Sequence, residues 1–247
     1  MRCGTLGLVT IVRLLGKMEG QMAGDGVQQI AAGIWCWQRR PRGLRPGESG
    51  ASTSYALTAG GQALLADPLV QGDDDPALGA LDHLAGDRVR ILLSKPFHTR
   101  SAEPPWRRYR HAQARIYGHP EVATRLGDTS GFQAVTGGTD AGGAARFHPI
   151  GSPPRSGQPI EIAARRALAF GDAVVETGDG ELRVWDDPLD SERRRRWWRE
   201  RYLPTLQALA NLDIEHVLVT HGRAVPGDGA AALRRAPERE PWQRPKR

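Results

Sequence analysis

The chain is poor in cysteine, methionine and aromatic residues. Its 247 residues hold two cysteines, three methionines and 6% aromatics. Cys3 and Cys36 make no C-x-x-C pair and no disulfide framework, so thiolate metal sites are excluded and a reducing cytoplasm is the simplest location. No apolar run is long enough to span a bilayer. The longest candidate, "MRCGTLGLVTIVRLLGKMEG", is interrupted by Arg13 and lacks a small-x-small cleavage site. There is no G-x-S-x-G elbow for a serine nucleophile. The Gly-rich segment "GDTSGFQAVTGGTDAGG" has no phosphate-loop lysine after its glycines, so a nucleotide cradle is unsupported.

What remains is a basic, glycine- and proline-rich chain with room for a large core. Formal net charge is +6, with 30 glycines and 18 prolines. The charge is local, gathered in arginine runs at 39–45, 107–110, 193–201 and 234–247, and a solvated surface accounts for most of it. We divide the chain into a peripheral extension (1–26), one domain (27–236) and a flexible basic tail (237–247). "SERRRRWWRERY" invites a nucleic-acid reading. At helical spacing, however, Trp197 and Trp198 cannot share one face. One packs inward and the arginines are solvated, with Asp187, Asp190 and Glu192 suiting the helix N-terminus.

Apolar spacing predicts a strand in 31–40, then a hairpin of 53–60 and 61–69 around a Gly-Gly turn. A helix over 74–87 follows, capped by Asp74 or Asp75. "RVRILLS" reads as a strand buried on both faces. Beyond it come a short helix from Ala102, a strand "ARIYG", and a helical segment from Pro120. Residues 127–146 read as loop. A hairpin of 158–164 and 167–176 turns at Arg165–Arg166, and "GELRVWDD" is one more strand. The remainder is a long helix burying Leu203, Leu206 and Leu209, a strand "IEHVLVTHG", and a last helix begun by Asp228. Helices outside two sheets would satisfy every apolar face.

Several strand exits end in polar groups: "LLSKPFHTRSAE" after the buried strand, "AFGD" at Asp172, and "VTHG" at His221. The pieces "ALLADPLV", "ILLSKPFHTRSA", "ALAFGDAVV" and "VLVTHGRAV", in this order, resemble the metallo-beta-lactamase family of mostly zinc-dependent hydrolases. The resemblance runs from about Gly33 to Ala236. It implies an α/β (α+β) fold, an αββα four-layer sandwich. It also implies that Asp172 and His221 match metal ligands directly.

The metal motif itself is degenerate. Setting Ser101 on the serine of T-H-x-H-x-D-H-S puts Lys95, Phe97 and Arg100 on its three histidines and Thr99 on its aspartate. The expected P-G-H-T-P-G is represented by "GSPPRSGQ", and His148 is the nearest histidine. The candidate mouth is therefore Lys95, His98, Thr99 and Arg100, with Asp67 supporting the loop beneath. Asp172 can pair with Lys95 or Arg100 in place of a metal. Three readings stay open: a metallo-beta-lactamase-fold protein with an incomplete metal centre, inactive or non-canonical; a mononuclear hydrolase whose single zinc is held by His98, Asp172 and His221; and a basic binding module for an anionic ligand or nucleic acid. The partner expected is a small molecule or anion, with nucleic acid and membrane set aside. His83, His111, His119 and His216 read as surface or helix residues.

Overall fold

The computed structural model describes residues 22–23, 26–41, 50–185 and 189–242, apart from the side chains of Met22, Ala23 and Arg100. Most of the N-terminal extension, residues 42–49, Asp187 and the last five residues of the basic tail lie outside the described residues.

The first sheet has eight strands in sequential order: β1 (Met22–Ala23), β2 (Val27–Ala31), β3 (Ile34–Arg39), β4 (Ser52–Ala59), β5 (Gln62–Ala66), β6 (Val89–Leu93), β7 (Arg115–Gly118) and β8 (Phe132–Ala134). The first five meander antiparallel, and β5 to β8 run parallel. The second sheet contains β9 (Asp140–Ala141), β10 (Ala145–Phe147), β11 (Ile160–Ile162), β12 (Ala167–Phe170) and, parallel to β12, β15 (His216–Val219). A separate ribbon pairs β13 (Val174–Glu176) with β14 (Leu182–Val184). Helices α1 (Pro76–Leu81) and α2 (Glu103–Arg108) cover the first sheet. Helices α3 (Glu192–Trp197), α4 (Leu203–Leu209) and α5 (Gly229–Arg235) lie on the side of the second, with a π-helical turn, Trp198–Tyr202, joining α3 to α4.

Side chains alternate across each strand, and this sorts the apolar residues into three cores. In β6, Ile91 and Leu93 pack with Leu78, Leu81 and Trp106 on the helical side, while Leu92 meets the second sheet with Phe147, Ile160 and Leu218. In β12 and β15, Leu168, Phe170, Val217 and Val219 face Leu206, Leu209 and Leu233. The layers are therefore helix, sheet, sheet, helix: the expected αββα sandwich. Tyr55 of β4 fastens the sheets together, its hydroxyl donating to the Val219 carbonyl at 2.7 Å.

Local signals explain most boundaries. Asp75 caps α1 by accepting from the Ala77 amide at 2.9 Å. Asp228 takes the N-cap position of α5 without a capping hydrogen bond, and its carboxylate accepts from Arg235 at 3.0 Å. Two expectations need correction. The segment read as loop carries β8, β9 and β10, short strands whose few side chains give no clear alternation. The strand expected over 167–176 breaks after Phe170, because Gly171 and Asp172 leave the sheet before β13 begins. Leu206 and Leu209 are buried as expected, while Leu203 is half-buried. The helix that carries them is interrupted by the π turn.

Candidate active site at the sheet edges

The exits of β5, β6, β12 and β15 meet at one edge. Asp67 directly follows β5 and takes a left-handed backbone, φ 45°, which aspartate tolerates better than most residues. This turn buries its carboxylate beneath the end of β6. The carboxylate accepts from the Ser94 amide at 2.9 Å, from the Ser94 hydroxyl, and from His98 Nδ1 at 3.0 Å. The apolar run of β6 thus ends on a fixed acceptor, and a six-residue 3-10 turn, Pro96–Ser101, carries the chain away.

Gly171 is required where β12 ends, since a Cβ there would collide with Ser94 Oγ and press on the His98 ring. That close approach places Asp172 against β6. Lys95 Nζ donates to Asp172 Oδ2 at 2.5 Å, and His98 Nε2 lies 3.4 Å from Asp172 Oδ1. From β15, His221 Nε2 donates to the same Oδ1 at 3.1 Å. Gly222 follows at φ 96°, packed so tightly on Glu176 that no side chain fits. Glu176 is itself buried. Its carboxylate accepts from the amides of Gly178, Gly180 and Arg223 at 2.7, 2.8 and 2.9 Å, tying the ribbon turn to the loop after His221.

The electrostatics follow from this packing. Burial alone would lower the pKa of His98. The Asp67 charge and the hydrogen bonds that the ring donates to both carboxylates outweigh it, and the imidazole is pushed up to about 9. Burial would raise Asp172, but hydrogen bonds from His221 and His98, with the charges of His98 and Lys95, hold it far below the usual carboxylate range. Two cations, Lys95 and His98, face two carboxylates, Asp67 and Asp172, and the charge closes on itself.

The structure brings Lys95, His98, Asp172 and His221 together, with Asp67 as their base. It does not bring Thr99, whose buried hydroxyl donates to the Pro96 carbonyl at 3.2 Å within its own turn. The Arg100 side chain lies outside the described residues. Ser101 Oγ donates to the Val70 carbonyl at 2.9 Å and holds the turn. His148 is elsewhere, 2.7 Å from Glu161. His216 accepts from the Gly227 amide at 3.3 Å. Cys36 is half-buried, and burial pushes its thiol up to about 11.

Sequence reasoning missed the walls. Trp185, just after β14, tilts over His221 at 5.4 Å and meets Trp242 edge-on at 4.6 Å. With Phe97, which is 56% exposed and has Arg125 stacked 4.1 Å above its ring, they frame an opening of about 490 Å³. Nothing in the spacing of Trp185 or Trp242 marks them, because their partners lie far off in the chain. Trp197 and Trp198 were not expected to share one face of their helix, yet both line one cleft beside Tyr202. The helix changes to π geometry at Trp198.

Solved structures of similar shape share this arrangement of sheets and helices. A metallo-beta-lactamase from Erythrobacter litoralis is 17% identical, with 87% of this chain and 97% of that one covered at a TM-score of 0.57. One from Pontibacter korlensis is 13% identical, covering 84% and 96% at 0.56. The DIM-1 metallo-beta-lactamase is 14% identical, covering 84% and 94% at 0.55. The chain has the metallo-beta-lactamase fold. No protein-family model and no curated protein matches it, and identities this low carry the fold alone.

A zinc centre of that fold needs several neutral or anionic donors with free lone pairs. Here Asp172 Oδ2 is held by an ammonium group. His98, protonated up to about pH 9, gives both ring nitrogens to carboxylates and has no lone pair to offer. Among the described residues no group of three or more histidine, cysteine and acidic side chains is arranged to hold a metal ion. The residues as placed do not fit zinc. The arginines of α3 and of the π turn are largely paired, Arg194 with Asp190 at 2.9 Å and Arg199 with Glu192 at 3.0 Å, all exposed. No helix among the described residues is long and apolar enough to cross a membrane.

Proposed function

We propose that this is a metallo-beta-lactamase-fold protein whose metal centre has been replaced by an internal ion-pair network, so that it is not a metallohydrolase. The observation that carries this reading is the 2.5 Å contact of Lys95 Nζ with Asp172 Oδ2. Lys95 falls on the first histidine of the resembled motif, and Asp172 on a metal-bridging carboxylate. A cation supplied by the chain thus does the electrostatic work of a cation from outside, and the neighbouring carboxylate Asp67 is neutralised by His98. An added divalent ion would have to displace Lys95 and deprotonate His98, both against their electrostatic setting. The network instead fixes the floor of a cleft that accepts a small molecule.

Metal analysis tests the reading. Protein stripped with a chelator, dialysed against zinc and then against buffer, is expected to retain well under one equivalent. Asp172→Ala and His221→Ala should retain no less than the parent. One full equivalent in the parent, lost in both variants, would instead establish a mononuclear site made by His98, Asp172 and His221.

A further inference from the structure

The ion-pair network sits where β5 and β6 end. At the other end of β6, where it starts beside the start of β7, is an open cleft of about 620 Å³. Arg90, Arg110, Arg115, Trp106 and Tyr117 are among its walls. Every charged residue lining it is an arginine, and among the described residues no aspartate or glutamate does so.

Strand register puts two of these arginines side by side. Arg90 is aligned with Arg115 across the parallel strands β6 and β7, and aligned residues of parallel strands point to the same face. Two like charges so placed repel each other. Close by, the chain settles such charges with carboxylates: Arg107 meets Asp73 at 2.8 Å and Arg108 meets Asp82 at 2.5 Å. Arg110, stacked 4.2 Å from the Trp106 ring centre, has Asp128 at 3.3 Å. Arg90 and Arg115 have no carboxylate partner among the described residues.

Arg90 decides what the cleft can hold. It is only 8% exposed, and a cation taken from water without a counter-ion is costly. Part of its fork serves the fold. Nη1 donates to the carbonyls of Val89 at 3.2 Å and Gln113 at 3.0 Å, the second in the left-handed turn, φ 47°, that leads into β7. Nε is enclosed against Gly142 and does not reach the cleft. Nη2 makes no hydrogen bond among the described residues and is not enclosed, so it is the end of the fork presented to the cleft. The indole N–H of Trp106 and the hydroxyl of Tyr117 are likewise without partners there, although each residue is only 4% exposed. A purely structural role for Arg90 would need Nη1 alone. It would leave the second, aligned arginine and the open Nη2 without a reason.

We infer that this cleft binds the terminal phosphate of a small phosphate monoester, held by Arg90 and Arg115 with Arg110 at the rim. Near neutral pH such a group carries close to two negative charges and three acceptor oxygens, which suit two guanidinium forks in charge and in shape. The cleft is larger than one phosphate group and leaves room for the organic part of the ester. A nucleic-acid backbone suits it less well, since an internal diester carries one charge and Arg90 lies below the surface, where a chain end reaches and a continuous strand does not. The inference is independent of the metal-free reading, because the cleft shares no residue with the ion-pair network.

Calorimetric titration of the full-length protein tests it. Glycerol 3-phosphate or phenyl phosphate is expected to bind saturably at one site. Dimethyl phosphate, a singly charged diester, should bind about tenfold more weakly or worse. Inorganic phosphate should compete for the same site with lower affinity than the better monoester. Arg115→Gln keeps length and loses charge at an exposed strand end, so it should melt with the parent and weaken the monoester about tenfold. Arg199→Gln, the same loss of charge on the π turn, should leave binding unchanged. Arg90→Lys keeps the charge but loses the fork, and should weaken binding as much as Arg115→Gln does; should it fail to fold, Arg115→Gln decides alone. Absence of saturable binding by both monoesters, dimethyl phosphate binding as well as they do, or equal affinity in Arg115→Gln and the parent would each overturn the assignment. So would equal losses in Arg115→Gln and Arg199→Gln, which would reduce the effect to net charge. Inorganic phosphate binding more tightly than either monoester would give the site to the free ion, and an unphosphorylated single-stranded oligonucleotide binding more tightly would give it to nucleic acid. The zinc measurement bears on none of these outcomes.

Discussion

At the sheet edges, His98 and Asp67 meet at 3.0 Å with side chains only 8% and 6% exposed; on α3, Arg194 and Asp190 meet at 2.9 Å with 59% and 60% exposed. The distances are alike and the physics is not. In the first case each polar atom was taken from water, so each partner is obligatory and the geometry is shared among Ser94, Lys95, His98, Asp172 and His221. In the second, water can take over the role of either partner. Pairs of that kind contribute little to stability, however many are counted. A charge-rich sequence therefore holds two unlike populations. Only the buried one can replace a metal.

Removing the carboxylate at the centre of the network should show the largest difference. Asp172→Ala leaves Lys95 without its carboxylate and takes one of two acceptors from His98, which keeps Asp67. Breaking a buried pair on one side typically costs about 3–5 kcal/mol, and we expect a loss of this order in chemical denaturation. A loss no larger than that of an exposed pair would mean that water already fills the network, and the contrast with α3 would fail.

The pH dependence sharpens the same comparison. The folded-state pKa of His98 lies above its ordinary value, at about 9 against 6.5. The folded protein therefore holds a proton that the unfolded chain releases between those two values. The stabilisation is fully present below pH 6.5, and it declines as pH rises, to be lost once the pH passes about 9. The amount at stake is on the order of 3 kcal/mol. Asp172, held below its ordinary range, acts in the opposite sense, and its contribution is lost only as the pH falls below about 4. Denaturation between pH 6 and 10 should show this decline in the parent, and a much flatter profile in His98→Gln. A parent profile that is already flat would remove the imidazolium from the network.

The difference between the two populations also decides what could be read from the chain. Residues 89–93 announced a strand buried on both faces, and the polar exits at His98, Asp172 and His221 were visible as abrupt ends of apolar runs. Their convergence followed from the αββα order. Pairing of Lys95 with Asp172 was legible too, because a cation stood where the resembled motif has a ligand. Asp67 was assigned to loop support, and its full role stayed hidden. Its left-handed turn and its grip on Ser94, 27 residues away, are tertiary facts with no spacing of their own. The same holds for Trp185, whose ring partners His221 and Trp242 lie far along the chain. The break after Phe170 went unseen because the tightness at Gly171 is imposed by Ser94, from another strand. The spacing also gave no sign of the π turn at Trp198, since the local composition there is that of a regular helix.

The smallest effect is expected on α3, and it is the control that gives the others meaning. Glu192 lies 3.0 Å from Arg199 and 3.6 Å from Arg195, with its own side chain 73% exposed. Its pKa is lowered, first by the hydrogen bond with Arg199 and then by that guanidinium's charge. Yet an exposed carboxylate that loses these partners finds water in their place, and salt screens what attraction remains. Glu192→Gln also keeps the size of the side chain and the Ser191 cap, which accepts from the Arg194 amide at 3.3 Å. The variant should melt with the parent within error at ordinary ionic strength, and added salt should leave the two indistinguishable. A clear loss of stability that salt abolishes would show that the arginines of α3 act as a coupled network. The division between buried and solvated charge would then have to be drawn elsewhere.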